Sequence, residues 1–186
     1  MLYQLIEAEA DVVKIAVVTG NPKPASRTHR AALSVADAVA AALPRSGARL
    51  MVDLAEHAPG LFDASDAELS RLTAEVAAAD VVIFASPTYK ASFTGMLKAF
   101  LDRYGANGLA GTVAVPVMTG AWAGHALAIE VHLRPVLVEL GATIPARGLY
   151  VTEPEFAELE AAVARWAATA APLIRHALAA QDARDV

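Results

Sequence analysis

The segment TGNPKPASRT, residues 19–28, combines hydroxyl, amide and cationic side chains directly after the apolar run 12–18. After Thr19, its polar side chains are those of Asn21, Lys23, Ser26, Arg27 and Thr28. A helix that begins near Thr28 presents unpaired N–H groups and the positive end of its dipole, so the segment predicts an anion site, and the two cations suit a phosphate monoester. It matches neither G-x-x-x-x-G-K-[ST] nor G-x-G-x-x-G, the motifs of nucleoside triphosphate and Rossmann dinucleotide sites. An ordinary capped turn explains its hydroxyl and amide groups equally well.

Two further segments carry groups suited to a flat heterocycle. SPTYKAS, residues 86–92, offers the ring of Tyr89 and the charge of Lys90, while Pro87 favours an extended backbone before it. TGAWAG, residues 119–124, has small residues whose N–H groups can approach a ligand closely. Taken singly, Tyr89 is more commonly a loop anchor and Lys90 a solvated side chain. Together with the first segment they describe a cleft with a phosphate end and a planar end, which favours FMN.

The elements that position these segments alternate along the chain. Segments rich in apolar and β-branched residues predict strands at 12–19, 49–54, 80–85, 112–118 and 143–151, of which 80–85 is apolar without alternation. Helical spacing predicts helices at 28–43, 66–79, 94–104, 123–140 and 155–180. Ser65 and Glu68 have the spacing of a capping box for the second helix.

This alternation predicts an α/β, flavodoxin-like, three-layer fold, because unbroken apolar strands need helices on both faces of the sheet. We expect a five-stranded parallel sheet in the order 2-1-3-4-5. In such sheets ligands bind beyond the carboxyl ends of the strands where the winding reverses, between the first and third strands. The three polar segments therefore meet at one edge.

The composition of the 186 residues limits the class of protein. A formal charge of -5 leaves no broad basic surface, so we expect neither nucleic acid nor membrane as a partner. The sequence contains no cysteine, which excludes thiolate metal sites and is compatible with a cytoplasmic location. We expect a single domain over 1–186, in which 1–11 form an extension before the first strand and not a signal peptide.

Three segments carry a family resemblance: TGNPKPASRT, ASPTYKASFTGMLKAFLDR and TGAWAGHALAIEVHLRPVL. The first two resemble the phosphate loop G-S-x-R-x-x-S-x-[TN] and the signature T-P-x-Y-x-x-S-x-x-G-x-L-K-x-x-L-D of the NADPH-dependent FMN reductases. The third is similar to a segment of those reductases that supply two-component sulfonate monooxygenases. The resemblance runs from about residue 13 to residue 151, and its middle motif is the most specific.

The resemblance implies FMN binding, with Ser26 and Thr28 at the phosphate, 87–90 along the isoalloxazine and 119–121 beside its pyrimidine side. The candidate cofactor-binding residues are Asn21, Lys23, Ser26, Arg27, Thr28, Ser86, Pro87, Thr88, Tyr89, Lys90, Thr119, Gly120 and Ala121. No catalytic side chain and no metal site is predicted, because the cofactor supplies the chemistry.

Three positions depart from the family pattern. Asn21 and Lys23 stand where serine and arginine are usual, from which we expect a looser hold on the phosphate. Ala121 replaces the second glycine of T-G-G, from which we expect a shift of the loop near the ring.

The predicted helix 123–140 has two features of its own. Pro135 cannot donate to the carbonyl of Val131, so we expect a kink or a π-bulge. Apolar residues surround most of the helix, so we expect a homodimer or homotetramer built through it and through the helix 94–104. The helix region also carries His125, Glu130 and His132. Histidines seven residues apart with one acid do not make a convincing metal site.

The sequence thus predicts an NAD(P)H-dependent FMN reductase, with NADPH or NADH as hydride donor, that supplies reduced flavin to a partner monooxygenase. The alternatives are an FMN-bound quinone or azo reductase and a non-catalytic flavodoxin-type electron carrier. Rapid consumption of NADPH in the presence of free FMN separates an enzyme from a carrier. A low-molecular-weight phosphatase and a serine hydrolase are poor interpretations, because neither cysteine nor G-x-S-x-G occurs.

Overall fold

Five parallel strands form one sheet in the computed structural model, which describes residues 12–183. The strands are β1 Val13–Thr19, β2 Ser46–Asp53, β3 Val81–Pro87, β4 Val113–Gly120 and β5 Leu149–Thr152. Their order across the sheet is β2-β1-β3-β4-β5, which confirms the predicted flavodoxin-like topology. The extension expected at 1–11 lies outside the described residues.

Helices cover both faces of the sheet. The α-helices are α1 Arg27–Ala42, α2 Ala67–Ala77, α3 Gly95–Leu101, α4 Arg134–Glu139 and α5 Leu159–Asp182. Segments of 3-10 helix occur at Leu54–Gly60, Ala123–His125 and Pro154–Glu158, and a π-helix at Ile129–Leu133. Apolar residues of α1 and α5 pack in one cluster with one face of the strands, and those of α2, α3 and α4 pack in a second cluster with the other face.

The strands lack polar alternation because both of their faces are covered. All seven residues of β3 are buried, with Val82 and Phe84 in one apolar cluster and Val81 and Ile83 in the other. None of the helices within residues 12–183 combines the length and the apolar composition needed to traverse a bilayer.

The carboxyl ends of three strands meet at one edge of the sheet. Thr19 of β1 is in register with Ala85 of β3, and Pro87 of β3 is in register with Thr119 of β4. The segments that leave this edge are named here the β1 loop (20–26), the β3 loop (88–94) and the β4 loop (121–125). They are neighbours because β1 and β3 flank the point where the winding of the sheet reverses.

The predicted fifth strand, 143–151, was wrong in its amino-terminal part. Thr143 forms only an isolated bridge to β4, and the strand itself begins six residues later. Pro145 cannot donate a hydrogen bond to a neighbouring strand. A Cβ at Gly148 would collide with the side chain of Ile129, so the backbone there is packed directly against the π-helix.

The predicted helix 123–140 is a 3-10 turn, a π-helix and α4 in succession. The N–H of Arg134 bonds to the carbonyl of Ile129, five residues earlier, as a π-helix requires. Pro135 follows in the first turn of α4, where a missing N–H costs least. The irregularity predicted at Pro135 is confirmed, whereas the single continuous helix was wrong.

The capping residue of α2 is Asp66 rather than Ser65. Asp66 Oδ1 accepts a hydrogen bond from the N–H of Leu69 at 2.8 Å. The Ser65 hydroxyl is instead engaged with Asp63 Oδ1 at 2.7 Å, in a turn that precedes the helix. The predicted capping box of Ser65 and Glu68 was therefore wrong, because the preceding turn takes the serine.

Candidate functional site

A chain of buried hydrogen bonds joins the β1 loop to α1 and β4. Asn21 Nδ2 donates to Thr28 Oγ1 at 3.1 Å, and Thr28 Oγ1 lies 2.7 Å from Thr119 Oγ1. All three side chains are buried. A threonine hydroxyl offers one proton and two lone pairs, so these groups can satisfy one another without solvent. The loop and the end of β4 are thereby held in one arrangement by the protein alone.

The first turn of α1 begins beside this chain. Ser26 caps the helix, and its Oγ accepts a hydrogen bond from the N–H of His29 at 3.2 Å. Within residues 12–183 the N–H groups of Arg27 and Thr28 donate to no protein acceptor. Lys23, which is exposed on the loop, forms no ion pair in the same part of the chain. Unpaired N–H groups, a helix dipole and a nearby cation together suit a phosphate.

The side chain of Arg27 is directed away from the β1 loop. Its Nη1 lies 2.5 Å from Glu153 Oε1, and its guanidinium carbon lies 5.6 Å from the centre of the Phe156 ring. Glu153 is held there because its N–H donates to the carbonyl of Gly120 at 2.9 Å. Of the residues predicted for the phosphate, Arg27 is thus the one whose charged group has a protein partner.

The end of β3 is fastened to α3 and to β1. Ser86 Oγ donates to the carbonyl of Pro87 at 2.9 Å and accepts from the N–H of Thr94 at 2.9 Å. Thr94 caps α3 and also donates from Oγ1 to the carbonyl of Gly20 at 2.6 Å. Ser86, although predicted as a cofactor contact, is fully buried with its hydroxyl engaged by protein. Sequence reasoning missed this role of Thr94, which was predicted as the first residue of the helix 94–104; a threonine at the start of a helix is a typical cap.

The β3 loop contains a tight turn in a strained conformation. Tyr89 and Ser92 exchange N–H to carbonyl bonds of 2.9 and 3.1 Å, and Lys90 and Ala91 between them have φ angles of 52° and 63°. Two successive positive φ angles define a type I′ turn, which glycine and asparagine adopt far more readily. The turn leaves the Tyr89 side chain exposed, at 51%, and Lys90 without an ion pair in the described part of the chain.

The β4 loop is linked to the β3 loop through Tyr150 of β5. Thr88 Oγ1 donates to the Tyr150 hydroxyl at 3.2 Å, and that hydroxyl donates to the carbonyl of Trp122 at 3.3 Å. A Cβ at Gly120 would collide with the same hydroxyl, so any side chain there would displace the Tyr150 hydroxyl from the two loops. Trp122 is itself 66% exposed beside the cleft. Tyr150 was not predicted, because nothing in a strand sequence shows which loops its side chain reaches.

One carboxylate near the cleft has an altered acidity. Glu155 Oε2 accepts from the hydroxyl of Thr152 at 2.6 Å and from its N–H at 2.8 Å. These bonds favour the ionised form and hold the pKa of Glu155 below its usual value. The negative charge is thereby fixed at the end of β5, outside the β1 loop.

A sequence model of the NADPH-dependent FMN reductases matches residues 13–156, a range that includes all three loops. The chain belongs to the NADPH-dependent FMN reductase family. This membership confirms the resemblance in the sequence, and with it the flavodoxin-like class of the fold.

Two relatives and one solved structure illustrate the range of the family's similarity to this chain. An FMN reductase (NADPH) of Pseudomonas putida is 39% identical over 85 residues, which cover 46% of this chain and 43% of the relative. The chain therefore spans less than half the length of that relative. The NADH-dependent FMN reductase SfnF of Pseudomonas putida is 30% identical over 150 residues, covering 78% of this chain and 80% of SfnF. An oxidoreductase of Corynebacterium diphtheriae superposes with a TM-score of 0.79 at 28% identity, covering 89% of this chain and 98% of that structure.

The groups at the sheet edge fit the two ends of FMN, the cofactor of this family. Unpaired N–H groups at the start of α1 fit the charge and the acceptor-only chemistry of a phosphate. An exposed aromatic ring at Tyr89 fits the apolar surface of a flavin. The buried backbone at Gly20 packs directly against α3, because a Cβ there would lie 2.5 Å from the Cβ of Leu97.

Proposed function

We propose that this chain is an NAD(P)H-dependent FMN reductase in which FMN lies across the β1, β3 and β4 loops. The observation that carries the proposal is the combination, at one sheet edge, of unpaired N–H groups in the first turn of α1 with the exposed ring of Tyr89. The names of the two Pseudomonas putida relatives support it. Neither alternative, a quinone or azo reductase or an electron carrier, is favoured by those names.

The β1 loop and the first turn of α1 hold the phosphate in this proposal. Ser26, Thr28 and the N–H groups of the turn donate to its oxygens, and Lys23 adds attraction across the solvent. Asn21 acts through Thr28, whose hydroxyl it orients at 3.1 Å. Arg27 contributes through its N–H, since its guanidinium is engaged by Glu153.

The β3 and β4 loops hold the ring. Hydride transfer from a reduced nicotinamide to flavin N5 is the chemistry that FMN supplies when bound. The segment Pro87, Thr88, Tyr89 and Lys90 lies along the ring, and the backbone of Thr119, Gly120 and Ala121 lies beside it. Lys90 and the N–H groups of this second segment stabilise the negative charge that reduction brings to the pyrimidine side. Ser86 supports the ring site indirectly, because its hydroxyl fixes the end of β3 to Thr94.

The test is oxidation of NADPH and of NADH by the purified protein, followed by absorbance, with FMN and with riboflavin as acceptors. The proposal predicts that FMN stimulates oxidation at least about tenfold with one of the two coenzymes, well within the range of enzymatic catalysis. Both coenzymes are used because one relative is named for NADPH and the other for NADH. Absence of FMN-dependent oxidation with either coenzyme would contradict the proposal.

We further propose that the protein is a homodimer or homotetramer and that its reduced flavin serves a flavin-dependent monooxygenase in the cytoplasm. Leu127, Val131 and Val138 are exposed along the segment that runs from Leu127 through the π-helix to α4, and their burial against a second copy would remove apolar area from water. The helix α3 offers the second surface. Val131→Glu should lower the mass measured by light scattering, whereas Phe62→Glu, at an exposed apolar residue elsewhere, should not.

A further inference from the structure

The carboxylate of Asp53 lies directly behind the β1 loop. Asp53 is the last residue of β2, and it is only 8% exposed. Its Oδ2 accepts from the N–H of Ala25 at 3.0 Å, and its Oδ1 accepts from the N–H of Ala55 at 3.3 Å. His29 Nδ1 lies 3.9 Å from the same Oδ2, and 3.1 Å from Thr19 Oγ1. Of these contacts, the bond to Ala25 is the one that reaches the loop.

Ala25 needs this bond because its backbone is in a conformation that alanine avoids. Its φ is 47°, in the left-handed region, where an L-residue with a Cβ is disfavoured by a factor of about 5 to 30. Ala25 also directly precedes Ser26, the cap of α1. The direction of Ser26 and of the first turn of the helix therefore depends on the φ of Ala25.

We propose that Asp53 is a positioning residue for phosphate binding, which acts by holding Ala25 in the left-handed conformation. The inference rests on the proposed function, since it assigns the phosphate to the turn that follows Ala25. Asp53 touches no substrate in this account. Its carboxylate offsets the strain at Ala25 through a charge-assisted hydrogen bond, and the N–H groups of Arg27 and Thr28 then point in the direction that the phosphate requires. Without the Asp53 carboxylate, the β1 loop populates other conformations. The apparent affinity for the phosphate then falls in proportion to the fraction of molecules that keep the binding conformation.

The proposal has a signature that general destabilisation lacks. Riboflavin has the same ring as FMN and no phosphate, so the ratio of the two dissociation constants isolates the phosphate end. Asp53→Ala should raise the dissociation constant of FMN about tenfold and leave that of riboflavin within about twofold, measured by quenching of flavin fluorescence. Asp53→Asn keeps one acceptor oxygen and should lose less. If both constants rise together, or if neither changes, the assignment of Asp53 is wrong.

A variant of Ala25 tests whether the loss of FMN affinity in Asp53→Ala comes from the strain at Ala25. Ala25→Gly removes the Cβ that disfavours a positive φ, so Asp53→Ala should cost at most about threefold in that background. An equal cost in both backgrounds would overturn the mechanism.

The matched control is Asp66→Ala, which removes the same kind of bond, 2.8 Å to the N–H of Leu69, at the start of α2 on the other face of the sheet. Asp66→Ala should lower the melting temperature without changing the ratio of the FMN and riboflavin dissociation constants. A wild-type protein that binds FMN no more tightly than riboflavin would count against the phosphate site itself, and would be seen before any variant is made.

Discussion

The β1 loop and the β3 loop, which lie side by side at the same sheet edge, are held in opposite ways. Asn21 of the β1 loop is buried, and its side chain bonds to Thr28 of α1, which in turn bonds to Thr119 of β4. The turn 89–92 at the tip of the β3 loop is held by backbone bonds in a strained conformation, and its side chains Tyr89 and Lys90 are exposed.

This difference separates the region that binds the flavin tightly from the region that leaves its ring accessible. A prearranged β1 loop can grip the part of a flavin that does not react, whereas an exposed β3 loop leaves the reacting ring open to a nicotinamide and to solvent. Binding energy from a remote group of this kind can hold a reactant while the reacting centre stays accessible. Variants of the β1 loop should then change affinity, and variants of the ring side should change turnover.

Thr28→Val should give the largest effect. The substitution removes the central hydroxyl of the buried chain and leaves Asn21 and Thr119 without their partner, which costs about 1 to 3 kcal/mol. The dissociation constant of FMN should rise about 30-fold, measured by fluorescence quenching. Thr73→Val is the matched control, because its hydroxyl bonds only within α2. An equal loss of FMN affinity in the two variants would show that the buried hydrogen-bond chain has no specific part in binding FMN.

Tyr150→Phe should give the next largest effect, on turnover rather than affinity. The hydroxyl that joins Thr88 to Trp122 is lost, so the two loops beside the ring are no longer fixed relative to each other. A slight misplacement should lower kcat about fivefold while the FMN dissociation constant changes less than twofold. Tyr104→Phe, which loses a bond of 3.2 Å to the carbonyl of Thr73, is the control. A larger change in affinity than in kcat would reverse the roles assigned to the two regions.

Lys90→Ala should lower the midpoint potential of bound FMN by about 20 mV, because an exposed charge is worth about 1 kcal/mol or less. The potential should fall because the substitution removes a cation beside the negative charge that reduction creates. Redox titration with a dye of known potential measures it. Lys98→Ala, whose ammonium is paired with Asp102 at 2.6 Å, should leave the potential unchanged. An unchanged potential in Lys90→Ala would remove this lysine from the ring site.

Arg27→Gln should give the smallest effect, less than about twofold on the FMN dissociation constant. The guanidinium is 60% exposed and paired with Glu153, and only the N–H of this residue is assigned to the phosphate. Lys23→Gln, at an exposed cation on the same loop, should cost more in the same titration at low salt. If Arg27→Gln weakens binding more than Lys23→Gln does, the arginine turns to the phosphate when FMN binds.

The sheet could be predicted from the sequence because its signals are local and strong. The apolar run of β3 required helices on both faces, and five predicted strands alternating with helices indicated the class of the fold. The errors fell where tertiary packing decided the outcome. At Gly148 the π-helix crowds the backbone, and at Ser65 a preceding turn takes the hydroxyl that would have capped α2.

The site could be predicted as a set of loops but not as a set of contacts. The sequence places Asn21, Thr28 and Thr119 in segments that meet at one edge of the sheet. The bonds between them have no local signal, since the two threonines are 91 residues apart along the chain. The direction of the Arg27 side chain depends in the same way on Glu153. Asp53 and Tyr150 gave no signal, because each acts on a loop to which it is not adjacent in sequence.

A crystal structure of the protein with FMN would show where the two ends of the cofactor bind. We expect phosphate oxygens within about 3.2 Å of the N–H groups of Arg27 and Thr28, and the isoalloxazine in contact with Tyr89. A phosphate bound elsewhere, or a ring that does not touch the β3 loop, would contradict the proposed binding of FMN.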